Sequence, residues 1–498
     1  MKKTIEELRG MNLKDLYTEK MNLSIGSRVD VNGHKGKLKY IGIVQGYNGE
    51  WIGIDWDDPM RGKHNGTVNG VKYFEARCPT SGSFVRPIYA CSGRDLVEEI
   101  NSRYAEGNVD KSSNDSSENF LAASLPAINI GIKKCEYVGM EKTYLKQCNI
   151  YRLNVIVLDN MCVSHVSPHQ TSKFIHCTEL NLHNNLITTW TNVFDILRLF
   201  PSLRYLNLCK NLLEPLGDIS ILDLSDLPSI FHLILSDCQM NEKTVTSILR
   251  IFNQVTELHI SRTGITSFDP PDNCFLRHLN ISENPIEDFS RLWSLSQLKS
   301  LEILNAAGCN FQTFDLPPNE VGFEKLSNLI IDDNSFTQWS DINQLSRLPS
   351  LKRLKLRGNM TEQNRMDIRE IIIAKMPLLV ELDRCDISSI ERRSSEIRFI
   401  NRFGLEPIDE VHRKDVERLV AKHGPPDPPV EQNLATARQK IPTVQIKLRY
   451  EDKKIERSVP EVTTIQRLIG LASRILKFDP SEVKIEICRN EPEDSTLG

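Results

Sequence analysis

A lysine held between turn-forming glycines, Lys63 in the run Arg61-Gly62-Lys63-His64-Asn65-Gly66-Thr67, is the cation of this chain most clearly set out to meet an anion. Aromatic residues surround it in short β-type runs: Trp51-Ile52-Gly53-Ile54-Asp55-Trp56, Tyr73-Phe74 and Phe84-Val85-Arg86. The ammonium suits carboxylates, the rings can form a slot for a terminal ring, and Gly62, Gly66 and Gly70 let a loop pass close to a ligand backbone. A phosphate loop does not fit, because G-x-x-x-x-G-K-[ST] fails at Asp57 and His64, and no G-x-G-x-x-G occurs.

These residues must be positioned by the segment that contains them. Of the 25 glycines in 498 residues, 11 fall between Asn22 and Ala90, where they alternate with β-branched and aromatic residues. Short strands joined by tight turns follow, hence a small β-barrel-like module. Nine Lys and Arg against six Asp and Glu leave it at +3, whereas the whole chain, with 62 basic and 66 acidic residues, carries -4. A basic module in an acidic chain attracts acidic peptides, less so in salt. The Arg61–Thr67 run, the upstream Trp-x-Gly-x-x-Trp-Asp, the Tyr-Phe pair and Gly-Ser-Phe-Val-Arg together resemble the CAP-Gly family, with His64 and Asn65 where its signature has Asn and Asp. That resemblance implies recognition of acidic peptides ending in an aromatic residue with a free carboxylate, as in the α-tubulin tail. It assigns the contact to Trp56, Gly62, Lys63, His64, Asn65, Gly66, Phe74, Phe84 and Arg86.

A second pattern fills about half the chain. L-x-x-L-x-L-x-x-N-x-L recurs through Asn185, Asn211, Cys238, Thr263, Asn284, Cys309, Asn334 and Asn359, after a degenerate copy at Met161. The spacings of 21 to 27 residues resemble leucine-rich repeats, and each L-x-L is read as a short strand with inward leucines. The polar residue three places later turns the chain and satisfies backbone groups of the neighbouring coil. Val193–Phe200 and Thr244–Phe252 have helical spacing on the convex side, and Ile387–Phe403 reads as a closing cap. Residues between the inward leucines face the concavity. Glu179, Asn181, His183, His232, Glu257 and His259 are mixed, and only Arg353, Lys355 and Arg357 read as a coherent patch.

At the C-terminal end, Thr443–Tyr450 and Lys454–Val459 read as strands, Thr464–Leu476 as a helix and Glu482–Cys488 as a third strand. This order resembles a ubiquitin-like β-grasp. The 56 residues from Thr443 to Gly498 are shorter than that fold, so an incomplete unit, unstable alone, is expected. The predicted architecture is thus multidomain α/β: an all-β CAP-Gly module (22–95), a flexible linker (107–120), a leucine-rich-repeat solenoid with its cap (150–403), a Pro-rich linker (424–440) and a partial ubiquitin-like unit (442–498).

Met1-Lys2-Lys3 is followed by Thr4-Ile5-Glu6-Glu7, so no export signal is read, and no apolar run reaches the length of a membrane span. The 12 cysteines contain no C-x-x-C and read as reduced thiols. No catalytic constellation, metal site or cofactor is read from local motifs, and neither nucleic acid nor membrane is an expected partner. The ordered triple of modules resembles the tubulin-folding cofactors. That resemblance implies a cytoplasmic, cytoskeleton-associated chaperone that binds α-tubulin and its acidic tail, and assists assembly and dissociation of the αβ heterodimer. The β-tubulin-carrying cofactor and a small CAP-Gly cofactor are the further partners implied. A microtubule-associated adaptor recruiting cargo through the repeats is the alternative.

Overall fold

The computed structural model describes residues 23–105, 128–130, 133–135, 149–217, 223–272, 274–318, 321–360, 365–426, 443–450, 453–461 and 463–477. The segment 107–120 lies outside them. Two units are distinguished, Met1–Pro426 and Asp427–Gly498.

In the first unit, Arg28–Val31, His34–Ile43, Glu50–Trp56 and Gly82–Val85 make a four-stranded antiparallel sheet in that order. Asn32 and Gly33, at φ 55° and 82°, close the first hairpin with the left-handed pair that matches strand twist. Val29, Leu38, Ile52, Ile54 and Trp56 are buried beneath it.

The repeats form a solenoid whose described strands make one eleven-stranded sheet. In the parallel ladder, Leu180, Leu206, Leu233, Leu258, Leu279, Leu304, Leu329 and Leu354 stand in register, one per coil, and all are buried. The polar ladder stitches the coils. Asn284 Nδ2 donates to Ile260 O and Ile281 O, both at 2.8 Å, and its Oδ1 accepts from the amides of Thr263 (3.0 Å) and Gly264 (2.9 Å). Where Asn is replaced, Cys238 Sγ reaches Leu208 O at 3.2 Å, Cys309 Sγ reaches Ile281 O at 3.4 Å, and Thr263 Oγ1 reaches its own coil at Ile260 O, 2.8 Å. Helices occupy the convex side at Trp190–Leu197 and Glu242–Ile251, each N-capped, by Thr189 and Asn241.

Both ends of the solenoid core are closed. At the start, Leu96, Val97 and Ile100 of the helix Leu96–Ile100 join the same buried cluster as the repeats. The strand Arg94–Asp95 pairs in parallel with Val163–His165, and Arg94 N donates to Cys162 O at 2.8 Å. Gly93, at φ 119°, lets the chain pass Ser164, whose Oγ would lie 2.2 Å from an added Cβ. Residues 91–105 therefore join the basic module to the solenoid. At the far end the expected single cap is three helices, Arg365–Lys375, Ser389–Phe403 and Glu410–His423, around a second core that includes Ala374, Phe399, Val416 and Leu419. The buried Lys375 ammonium lies among Asp415 Oδ2 (2.9 Å), Asn343 Oδ1 (2.7 Å) and Val411 O (3.0 Å), which satisfies its three donors.

In the second unit, Thr443–Tyr450 and Lys453–Pro460 form an antiparallel hairpin followed by the helix Ile465–Leu476. Ala472 and Leu476 are buried, whereas Ile465 is exposed. The expected strand Glu482–Cys488 lies outside the described residues. No described helix is long and apolar enough to cross a membrane.

Candidate functional site: the aromatic groove and the concave face

The run from Arg61 to Thr67 folds back over the end strand of the small sheet. Lys63 N and His64 N donate to Gly82 O at 2.7 and 3.2 Å, and Gly82 N returns a bond to His64 O at 2.8 Å. The glycines serve this packing. A Cβ on Gly62 would lie 2.4 Å from Thr80 O, and one on Gly66 would lie 2.1 Å from Phe74 O, so both approach the module's own backbone rather than a ligand's. Gly70, at φ 79° with open space around it, forms a turn.

This arrangement leaves a groove of about 510 Å³. Of the residues assigned from sequence, Trp56, Lys63, His64 and Phe84 line it. Phe74 is buried behind them, with its ring 5.5 Å from Phe84 and 6.0 Å from His64. Asn65 is exposed, and its Oδ1 accepts from Thr67 N at 3.2 Å, so it shapes the loop. Arg86 does not line the groove directly; its guanidinium lies 3.7 Å over Trp51, which does, and Nη1 donates to Glu50 O at 3.1 Å. Tyr47, Trp51 and Arg61 are further lining residues that motif matching did not select. The Trp-x-Gly-x-x-Trp spacing was the available signal for Trp51, because it places a second tryptophan on the strand that carries Trp56, and both border the groove.

Donors predominate here. The indole N–H groups of Trp51 and Trp56 are buried with no hydrogen-bond partner among the described residues, and Arg61 lies 4.7 Å over the Trp56 ring. His64 Nδ1 accepts from Gly66 N at 3.0 Å, while burial and then the Lys63 charge lower its pKa, which keeps the ring neutral near pH 7. The groove therefore offers one exposed ammonium, a stacked guanidinium and two unpaired N–H donors beside apolar rings. Such a lining suits an anionic, partly aromatic ligand.

On the solenoid, the basic trio is less free than its sequence implied. Arg353 Nε lies 3.7 Å from Glu381, and Arg357 Nη2 donates to Asp383 O at 2.8 Å while its amide bonds Asp332 Oδ1 at 2.8 Å. A different group is brought together instead. His232, Glu257 and His278 stand side by side on adjacent strands, and His259 joins them from the Glu257 strand. The expectation that only the trio is coherent is thus corrected: the parallel register places residues about one repeat apart next to each other.

Residues 25–89 match the CAP-Gly domain family. Along nearly its whole length the chain is similar to tubulin-specific chaperone E of Mus musculus, 30% identical over 492 residues covering 92% of this chain and 91% of the relative. The Rattus norvegicus protein of the same name is 31% identical over 494 residues, with the same two coverages. Among solved structures, a Bik1 CAP-Gly domain with an ETF peptide from Bim1 is 34% identical, covering 15% of this chain and 86% of that one, at a TM-score of 0.13. An internalin from Listeria monocytogenes is 20% identical over 49% of this chain and 70% of its own, at a TM-score of 0.33.

Proposed function

Because the chain belongs to the tubulin-specific chaperone E family, we propose that it is a tubulin-folding cofactor, with the groove of its CAP-Gly domain holding the acidic tail of α-tubulin. The observation that carries the tail reading is the pair of unpartnered indole donors, Trp51 and Trp56, in a groove that also presents Lys63. A terminal carboxylate supplies the missing acceptors, a terminal ring fills the aromatic slot, and upstream carboxylates meet the +3 module. Lys63, His64, Trp56 and Phe84 touch the peptide, while Gly62, Gly66, Asn65, Phe74 and Arg86 shape the walls.

The concave face takes the folded body of α-tubulin. Lys355 lies between Arg353 and Arg357 on that face, and charge reversal at the three positions tests the grip. Two sites on one body raise the effective concentration of the second contact once the first forms. Through such binding the protein assists assembly of the αβ heterodimer and takes part in its dissociation, together with the β-tubulin-carrying cofactor and a small CAP-Gly cofactor. Its place of action is the cytoplasm, on the cytoskeleton. The hairpin and helix from Thr443 to Leu476 are read as the start of a ubiquitin-like unit.

Mixing the full chain with native tubulin dimer and following complex formation or dimer loss by size-exclusion chromatography tests this reading. Co-elution or dimer loss supports it. Pelleting with microtubules without any effect on free dimers replaces it with the cargo-adaptor reading.

A further inference from the structure

The concave sheet carries a set of donor atoms that the tail reading does not use. Strands His232–Ile234, Glu257–His259 and His278–Asn280 are adjacent and parallel, with His232, Glu257 and His278 in one row. Neighbouring strands lie about 4.8 Å apart, so the carboxylate stands between two imidazoles. Glu257 Oε1 lies 2.9 Å from both His259 Nε2 and His278 Nδ1, and Oε2 lies 3.3 Å from His232 Nδ1. The rings of His232 and His259 stack with centroids 5.3 Å apart, and Asn280 Nδ2 lies 3.4 Å from His259 Nδ1.

Three imidazoles converge on this one carboxylate, and among them His232 Nε2 is buried without a hydrogen-bond partner among the described residues. The ligand atoms of His232, Glu257 and His259 all lie within 4.8 Å of one another. Metal–ligand bonds of roughly 2.0–2.2 Å in a tetrahedral site separate two ligand atoms by about 3.4 Å, so small side-chain shifts suffice.

We infer that His232, Glu257 and His259 bind one divalent transition-metal ion, zinc in the first instance, on the concave face of the solenoid. His278 holds the carboxylate from the other side, as groups behind a metal's ligands commonly do. Three protein ligands leave a coordination position open toward the concavity, available to water or to a carboxylate or imidazole of a docked protein. The side chains of the three are 20–31% exposed, so an ion can reach them without unfolding. The inference is independent of the tail reading, because no groove residue takes part.

The test is titration of the full, reduced chain with Co²⁺, followed by competition with Zn²⁺. One equivalent of Co²⁺ should give visible ligand-field bands without the near-ultraviolet thiolate band that cysteine ligation produces. The His232→Gln/His259→Gln variant should bind at least about 100-fold more weakly, and His278→Ala about 10-fold more weakly. No binding by the unaltered chain, a thiolate band, or a signal unchanged in the double variant overturns the proposal. Thermal melting confirms that the variants fold; should the double variant not fold, the spectrum of the unaltered chain and the His278→Ala affinity decide.

Discussion

The groove of the CAP-Gly domain and the histidine cluster of the solenoid both gather polar side chains on a partly open surface, yet they are held in place differently. In the groove, backbone packs on backbone: Gly62 and Gly66 allow approaches that a single Cβ would block, and the lining side chains follow from the resulting loop. On the solenoid, the strand pairing repeats from coil to coil, and His232, Glu257 and His278 meet because the ladder aligns equivalent positions of successive coils. A loop-built site is sensitive to the shape of one segment. A ladder-built site is sensitive to register, and register is maintained by buried residues with no part in binding.

The largest expected effect probes that dependence. Asn284→Ala leaves the carbonyls of Ile260 and Ile281 and the amides of Thr263 and Gly264 without their buried partner. A loss of about 3–5 kcal/mol is expected in urea unfolding of the solenoid, with tail-peptide affinity of the folded fraction unchanged. An equal loss of peptide binding would show that the groove relies on the ladder as well.

Acid should separate the regions next. His412 is buried against Trp339, Phe399 and Phe403, and burial, then the Lys375 charge, bring its pKa down to about 4. Above pH 6.5 the folded and unfolded chains both carry a neutral ring, and its contribution is complete. Between pH 6.5 and about 4 only the unfolded chain takes up the proton, so stability falls with pH, by at most about 3 kcal/mol. His412→Phe should flatten that part of the pH profile in thermal melts of the full chain. An unchanged slope would assign the acid sensitivity elsewhere.

Two smaller effects concern the groove. Lys63→Ala should weaken an acidic, aromatic-ended peptide about 10-fold at low salt, close to 1.4 kcal/mol, and less in high salt. Equal affinities by fluorescence anisotropy would remove Lys63 from the contact. Gly70→Ala meets no neighbour but keeps φ at 79°, so a loss of about 1 kcal/mol in melting is expected, with peptide affinity preserved. A large loss of affinity would mean that the turn itself touches the ligand.

The repeats were legible from sequence because every coil restates the same demand: apolar residues inward, and a small hydrogen-bonding side chain at the turn. The Arg61–Thr67 loop was legible because its unusual residue types are contiguous. Trp51 and Arg61 lay within the matched segments but were not among the assigned contacts, and the role of Gly62 against Thr80 required knowing which strand the loop covers. The histidine cluster was hidden for a different reason. His232, Glu257 and His278 are separated by 25 and 21 residues, and nothing local in any one coil marks them as neighbours. Counting positions across aligned repeats, rather than along the chain, is the signal that finds such sites.

The close passage of Gly93 by Ser164 has a mechanical consequence. A pull on a peptide seated in the groove enters the solenoid through the paired strands Arg94–Asp95 and Val163–His165, backed by Leu96, Val97 and Ile100 in the first coil's core. Load applied at one ligand is thus delivered to the stack of coils, so the small domain acts as a handle on the solenoid rather than a float on a string.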